Sequence, residues 1–171
     1  MLFRLVRGAG LAGAAGMAER AAWPVAVDGA PKVVRPLLGI ERLEVEAYLA
    51  ALDLEPRQDS TNQDVAYSRN RIRSRVLPEL RAINPRASRT LAAFASRAAA
   101  DDDALELWAE TSAAAIMTVE AERVTIDRAG LRALPPAVRT RVLLRAAGHL
   151  DIAFESAHLE AAEVEIGRAH V

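Results

Sequence analysis

Asp59-Ser60-Thr61-Asn62-Gln63-Asp64-Val65-Ala66-Tyr67-Ser68-Arg69-Asn70-Arg71-Ile72-Arg73 is the stretch on which the reading of this chain turns. It opens with turn residues that satisfy orphan helix donors and ends as the arginine-dense start of a helix. Before it, a short β-prone run precedes an amphipathic helix; after it, apolar residues recur mainly at helical spacing. From Tyr67 to Arg89, seven arginines (69, 71, 73, 75, 81, 86 and 89) stand against one acid, Glu79. The formal charge of the whole chain is only −1, so this basic excess is local. A guanidinium is permanently charged and its planar fork grips two phosphate oxygens at once, so the cluster points to a polyanion. A solvated helix face is the plainer alternative, but like charges that barely alternate repel unless an anion or outside carboxylates stand opposite.

On the N-terminal side, Lys32-Val33-Val34-Arg35-Pro36-Leu37-Leu38 predicts a strand closed by Pro36 and Gly39. Val45, Tyr48, Leu49 and Leu52 then sit at i, i+3, i+4, i+7 and predict a helix over 41–52 with those residues inward. Leu2, Leu5 and Val6 read as the last turns of a helix, and Arg7-Gly8-Ala9-Gly10-Leu11-Ala12-Gly13-Ala14-Ala15-Gly16 as a glycine-rich loop. A helix starting at the first residue, without a cap, reads as the continuation of something upstream. Amides at such glycines can approach a phosphate or a base, with structural glycines the competing reading. No Gly-Lys-Ser/Thr follows, so this is not a Walker loop.

On the C-terminal side, Ile72, Val76, Leu80 and Ile83 predict an apolar stripe opposite the arginines, with Pro78 kinking or restarting the helix. Asn84-Pro85 reads as a cap and first turn of a long helix running toward Ala115. Its expected buried stripe is Leu91, Phe94, Ala98, Leu105, Trp108 and Ser112, with Asp101 to Asp103 a solvated acidic turn near its middle. Val119 to Asp127 suggests a hairpin or single strand. Pro135-Pro136 begins a helix with Val138, Val142, Leu143 and Ala146 inward, ended by Gly148. A final helix of about two turns is expected from Ser156. Glu165-Ile166-Gly167-Arg168-Ala169-His170-Val171 departs from that pattern and reads as a non-native tail, the translation of a sequencing-adapter oligonucleotide.

Composition narrows the chemistry. An apolar fraction of 51% over 171 residues is ample for a core. The absence of cysteine excludes disulfides, thiolate nucleophiles and zinc-thiolate sites, and fits a cytoplasmic setting. Arg4 and Arg7 interrupt the apolar opening, against a signal peptide, and no uninterrupted apolar run reaches the roughly 18 residues of a membrane span. His149, His158 and His170 lack the spacing of a metal site or triad. Asp59 to Asn62 suits helix capping better than Mg²⁺ ligation, which stays the alternative. The residues thus describe a polyanion-binding α/β segment followed by helices, with no self-contained catalytic site.

Taken as an ordered set, Arg7-Gly8-Ala9-Gly10 with Gly16-Met17, Arg35-Pro36-Leu37-Leu38, Asp59-Ser60-Thr61-Asn62 with Tyr67-Ser68-Arg69-Asn70-Arg71-Ile72-Arg73, Leu77-Pro78 and Asn84-Pro85 resembles the bacterial tRNA(Ile)-lysidine synthetases of the PP-loop ATP pyrophosphatase superfamily. The resemblance implies a ligase that uses ATP, with Mg²⁺, to adenylate the wobble cytidine of tRNA(Ile), after which the amine of L-lysine displaces AMP. It implies ATP contacts from Arg7, Gly8 and Gly10, and nucleic-acid contacts from Arg69, Asn70, Arg71, Arg73 and Arg75. Ala9 stands where a Ser or Thr is usual, which removes any hydroxyl contact there. The family's Ser-Gly-Gly-x-Asp-Ser and His-x-x-Asp-Asp-Gln segments are absent from the sequence. The expectation is therefore a fragment, inactive alone. Residues 1–62 would be the end of a Rossmann-like nucleotide-binding α/β domain, 63–164 a mainly helical tRNA-binding or linker domain, and 165–171 the tail. A stand-alone, non-catalytic RNA-binding module and another PP-loop tRNA-modifying enzyme are the other readings.

Overall fold

Alanine-rich segments with apolar residues at helical spacing fold here as helices, and two short antiparallel ribbons account for all the strand structure among the described residues. The computed structural model describes residues 1–25, 27–57, 67–154 and 156–167, which fall into two compact units, Met1–Ala99 and Ala100–Val171. The predicted turn at Asp59 to Asn62, and His170, lie outside the described residues.

In the first unit, α1 (Leu2–Val6) ends at Arg7, and Gly8 at φ +80 turns the chain in a conformation that side chains disfavour. The expected glycine loop is corrected in part: Leu11–Ala15 forms a helical turn, α2, because the amides of Gly13 and Ala14 both donate to the Gly10 carbonyl at 3.0 Å. Gly13 is required there, since a Cβ would run into the Cβ of Ala9 and pack at 3.5 Å from that of Arg4. The predicted strand shortens to β2 (Val33–Val34), paired antiparallel with β1 (Arg20–Ala21) in the register Arg20↔Val34, Ala21↔Val33. Arg35 adds one more bond, N–H to the Glu19 carbonyl at 2.8 Å, and Pro36, with no N–H, ends the ladder.

Helix α3 (Arg42–Ala51) starts in a capping box, in which the Glu41 amide donates to the Glu44 carboxylate at 2.7 Å. Val45 and Leu49 are half-buried, but Tyr48 and Leu52, expected inward, are 66% and 50% exposed. Leu5, Val34 and Leu37 are also exposed. Buried apolar residues in this unit are only Ala14, Ala87 and Ala98, so it has no large side chain at its centre among the described residues.

After α4 (Ser68–Arg71), Ile72–Val76 forms a π-helical turn in which the Leu77 amide donates to the Ile72 carbonyl, and α5 (Leu77–Ile83) follows. Pro78 supplies the reason. It has no N–H for the carbonyl four residues back and its ring crowds that carbonyl, and the wider turn relieves both. The extra residue shifts the apolar stripe. Ile72, Leu77 and Leu80 are half-buried, whereas the expected Val76 and Ile83 are 44% and 83% exposed. Asn84 ends α5 and turns the chain, its Oδ1 accepting from the Arg86 amide at 2.9 Å, and α6 spans Ala87–Ile116, two residues later than the expected start at Pro85.

The second unit holds the core. Ala109, Ala113, Leu131, Val138 and Val142 are buried together, with Leu105, Ile116 and Ile126 packed against them. Of the expected stripe on α6, Ala98 is buried and Leu91, Leu105 and Ser112 are half-buried, but Phe94 and Trp108 are corrected, at 45% and 50% exposed, and Ala109 and Ala113 carry close packing there. The hairpin forms as β3 (Met117–Glu120) and β4 (Arg123–Ile126). A helix absent from the sequence reading, α7 (Arg128–Ala133), starts where Asp127 accepts from the amides of Ala129 and Gly130. In α8 (Pro136–His149), Val138, Val142 and Ala146 are buried as expected and Leu143 is half-buried. Asp101 to Asp103 lie near the middle of α6 as expected, with Asp101 and Asp103 exposed, but Asp102 is half-buried and pairs with Arg141 at 2.5 Å. The last helix, α9, covers Ser156–Gly167, so the expected loss of pattern at Glu165 is corrected. Ile166 packs on the core, and the Glu165 carbonyl accepts from Arg128 at 2.8 Å. No helix among the described residues is long and apolar enough to cross a membrane.

Candidate phosphate and nucleic-acid site

Arg7 follows Phe3 by one helical turn, and its guanidinium lies 5.3 Å from the centre of the Phe3 ring. Arg69, at the start of α4, brings its guanidinium to 5.8 Å from the same ring. Both distances fall within the reach of a cation–π attraction. The two segments named from sequence, the Arg7 to Gly10 turn and the Arg69 to Arg75 helix, therefore meet on one aromatic side chain. Phe3 itself was missed. Its spacing to Arg7 was a usable signal, but nothing in the sequence announces that Arg69, far along the chain, shares the ring.

The rest of the turn is open. Nothing lies within 4 Å of where a Cβ would stand on Gly8 or Gly10, so both backbones are accessible. Arg4 ties the far end of the glycine stretch, donating to the Gly16 carbonyl at 3.3 Å. Along the helix, Arg71, Arg73 and Arg75 are exposed and Asn70 is half-buried, its carbonyl accepting from the Ser74 hydroxyl at 2.8 Å. Of the seven arginines between Tyr67 and Arg89, Arg81 donates to Ser88 at 3.0 Å and Arg89 pairs with Glu41 at 3.5 Å. Among the described residues, no ion pair occupies Arg7, Arg69, Arg71, Arg73 or Arg75. Their forks are free to donate to an external anion. No group of three or more His, Asp or Glu among the described residues is arranged to hold a metal ion, so these side chains offer no Mg²⁺ cage. His149 is exposed at the end of α8, and His158 stands 5.9 Å from the Phe154 ring.

Residues 1–80 match the PP-loop domain family. The chain is 42% identical over 148 residues to the tRNA(Ile)-lysidine synthase of Geobacter sulfurreducens, covering 85% of the chain and 30% of that protein. It is 36% identical over 148 residues to the tRNA(Ile)-lysidine synthase of Thermobifida fusca, covering 86% and 42% respectively. Against that of Salinispora tropica it is 39% identical over 181 residues, covering 100% of the chain and 52% of the relative. The chain is a homologue of tRNA(Ile)-lysidine synthases over most of its length. It spans about half or less of the length of these relatives. Both the Arg7 to Gly10 turn and the Arg69 to Arg75 helix fall inside the PP-loop match. The lysidine synthase resemblance and the grouping of Arg7 and Arg69 on Phe3 thus concern the same part of the chain.

Proposed function

We propose that this chain is part of a tRNA-modifying ligase that uses ATP to adenylate the wobble cytidine of tRNA(Ile) and joins L-lysine to it to form lysidine. The observation that carries this reading is the 39% identity to a lysidine synthase over the whole of the chain. Residues 1–62 contribute the end of a Rossmann-like nucleotide-binding domain, and 63–164 a helical tRNA-binding or linker domain. Arg7, with the open backbones of Gly8 and Gly10, contacts ATP phosphate. Arg69, Asn70, Arg71, Arg73 and Arg75 contact the nucleic acid. The fit to phosphate rests on unpaired arginine forks beside an exposed glycine turn, in which the Gly8 amide is itself engaged by the Leu5 carbonyl at 2.9 Å, and ATP, when bound, supplies the adenylyl group. The Mg²⁺ expected with ATP finds no ligand set among the described residues, so no step is assigned to it.

Sequencing the genomic DNA upstream of Met1 tests the reading. A frame that continues into Ser-Gly-Gly-x-Asp-Ser and His-x-x-Asp-Asp-Gln supports it, and the full-length product should then incorporate lysine into tRNA(Ile) in the presence of ATP. A ribosome-binding site serving Met1 would instead favour a stand-alone RNA-binding module built on the arginine helix.

A further inference from the structure

We infer that Phe3 is a positioning residue that unites Arg7 and Arg69 into one phosphate clamp, so that the glycine turn and the arginine helix read a single phosphate-bearing ligand rather than one ligand each. The inference rests on the proposed phosphate-binding function, adds to it a residue and a coupling, and revises its division of ligands by placing Arg7 and Arg69 on the same one.

A guanidinium attracted to an aromatic ring uses the electrostatics of the ring, not its own N–H groups, which remain available to phosphate oxygens. Phe3 holds two such groups at 5.3 and 5.8 Å from its centre, so the two forks can stand no farther apart than these two distances laid end to end. Two like charges brought together in this way repel, and no described carboxylate pairs with either. The ring offsets part of that repulsion, and an anion shared by both forks removes the rest. Phe3 is itself half-buried, whereas both arginines are exposed, so the ring is the fixed element and the forks the adjustable ones. Gly8, held at φ +80, turns the backbone immediately after Arg7 and leaves its own face open beside the clamp.

The test measures binding of ATP and of a tRNA(Ile) transcript, separately and over a salt series, to the chain and to Phe3→Leu, Phe3→Trp, Arg7→Ala, Arg69→Ala and the double arginine variant. Phe3→Leu should weaken binding roughly tenfold, the loss of two exposed cation–π contacts, while Phe3→Trp, which keeps an aromatic face, should bind like the parent. The arginine substitutions should be non-additive in the parent and additive once Phe3 is leucine. A loss confined to ATP would identify the clamped phosphate as the nucleotide's, and one confined to tRNA as the RNA backbone's. Binding by Phe3→Leu equal to the parent, with both arginine variants weakened, overturns the clamp and leaves the phosphate-binding function standing. Absence of ATP and tRNA binding by the parent overturns both. If circular dichroism shows that Phe3→Leu does not fold, the arginine double-mutant cycle in the parent decides, and strict additivity there overturns the clamp.

Discussion

Arg141 on α8 donates to Asp102 on α6 at 2.5 Å, with only 18% and 26% of the two side chains exposed. The pair is extended by Glu106, which accepts from Arg145 at 2.5 Å. A carboxylate that looks like one of three equivalent acids in the sequence thus fastens two helices over the core. Asp102→Ala is expected to lower the unfolding free energy by about 1–2 kcal/mol, because it strips a partly buried guanidinium of its nearest partner. Asp101→Ala, on an exposed neighbour, should stay within about 0.5 kcal/mol. Urea titration of both variants distinguishes them.

The π-helical turn makes a sharper demand. Leu77 is half-buried and Val76 is 44% exposed. Leu77→Ala should therefore cost more than Val76→Ala, by about 1 kcal/mol on the area each loses. A continuous α-helix would reverse the order, so a pair of thermal melts suffices.

Two glycines of the second unit should respond in opposite directions. A Cβ on Gly130 would stand 2.7 Å from Cγ2 of Ile116 and 2.8 Å from the capping oxygen of Asp127, so Gly130→Ala should destabilise by about 1–3 kcal/mol. Nothing lies within 4 Å of the corresponding point on Gly148, in the last turn of α8, and Gly148→Ala should stabilise by about 0.5–1 kcal/mol. Differential scanning calorimetry of the two variants gives both signs.

On the arginine helix, Arg73 is exposed and engaged in no ion pair with a described residue. If it meets RNA phosphate, Arg73→Ala should reduce the slope of log affinity against log salt by about one, with little preference for RNA sequence. Arg42→Ala, on a side chain paired with Glu46 at 2.6 Å, should leave the slope unchanged.

Much of the fold is written in local pattern. The long helix, the hairpin at 117–126 and the inward face of α8 follow from spacing and from Asn84, Pro85 and Pro136, because each depends on neighbours a few residues away. The misreadings have physical causes. Helical spacing places Tyr48, Phe94 and Trp108 inward, yet they are exposed and Ala109 and Ala113, outside the expected stripe, occupy packed positions, since close approach selects small residues as readily as large ones. The shifted stripe at Val76 follows from a proline whose presence was legible but whose π-helical remedy was not. At the candidate site, the arginines were legible as local charge. Phe3 was not, because the meeting of Arg7 and Arg69 depends on long-range folding rather than on spacing.

The uneven distribution of buried side chains sets where the molecule yields first. Val138 and Val142 are fully buried in the second unit, whereas the first buries nothing larger than alanine among the described residues. Amide protons of α8 should therefore exchange through the costliest unfolding events, and those of α1, α2 and α4 through cheap local ones. The segments that carry Arg7 and Arg69 are then the ones whose order a bound phosphate ligand can increase. Part of its binding free energy would be spent on organising its own site, and its arrival would register as slowed exchange far more in the first unit than in the second.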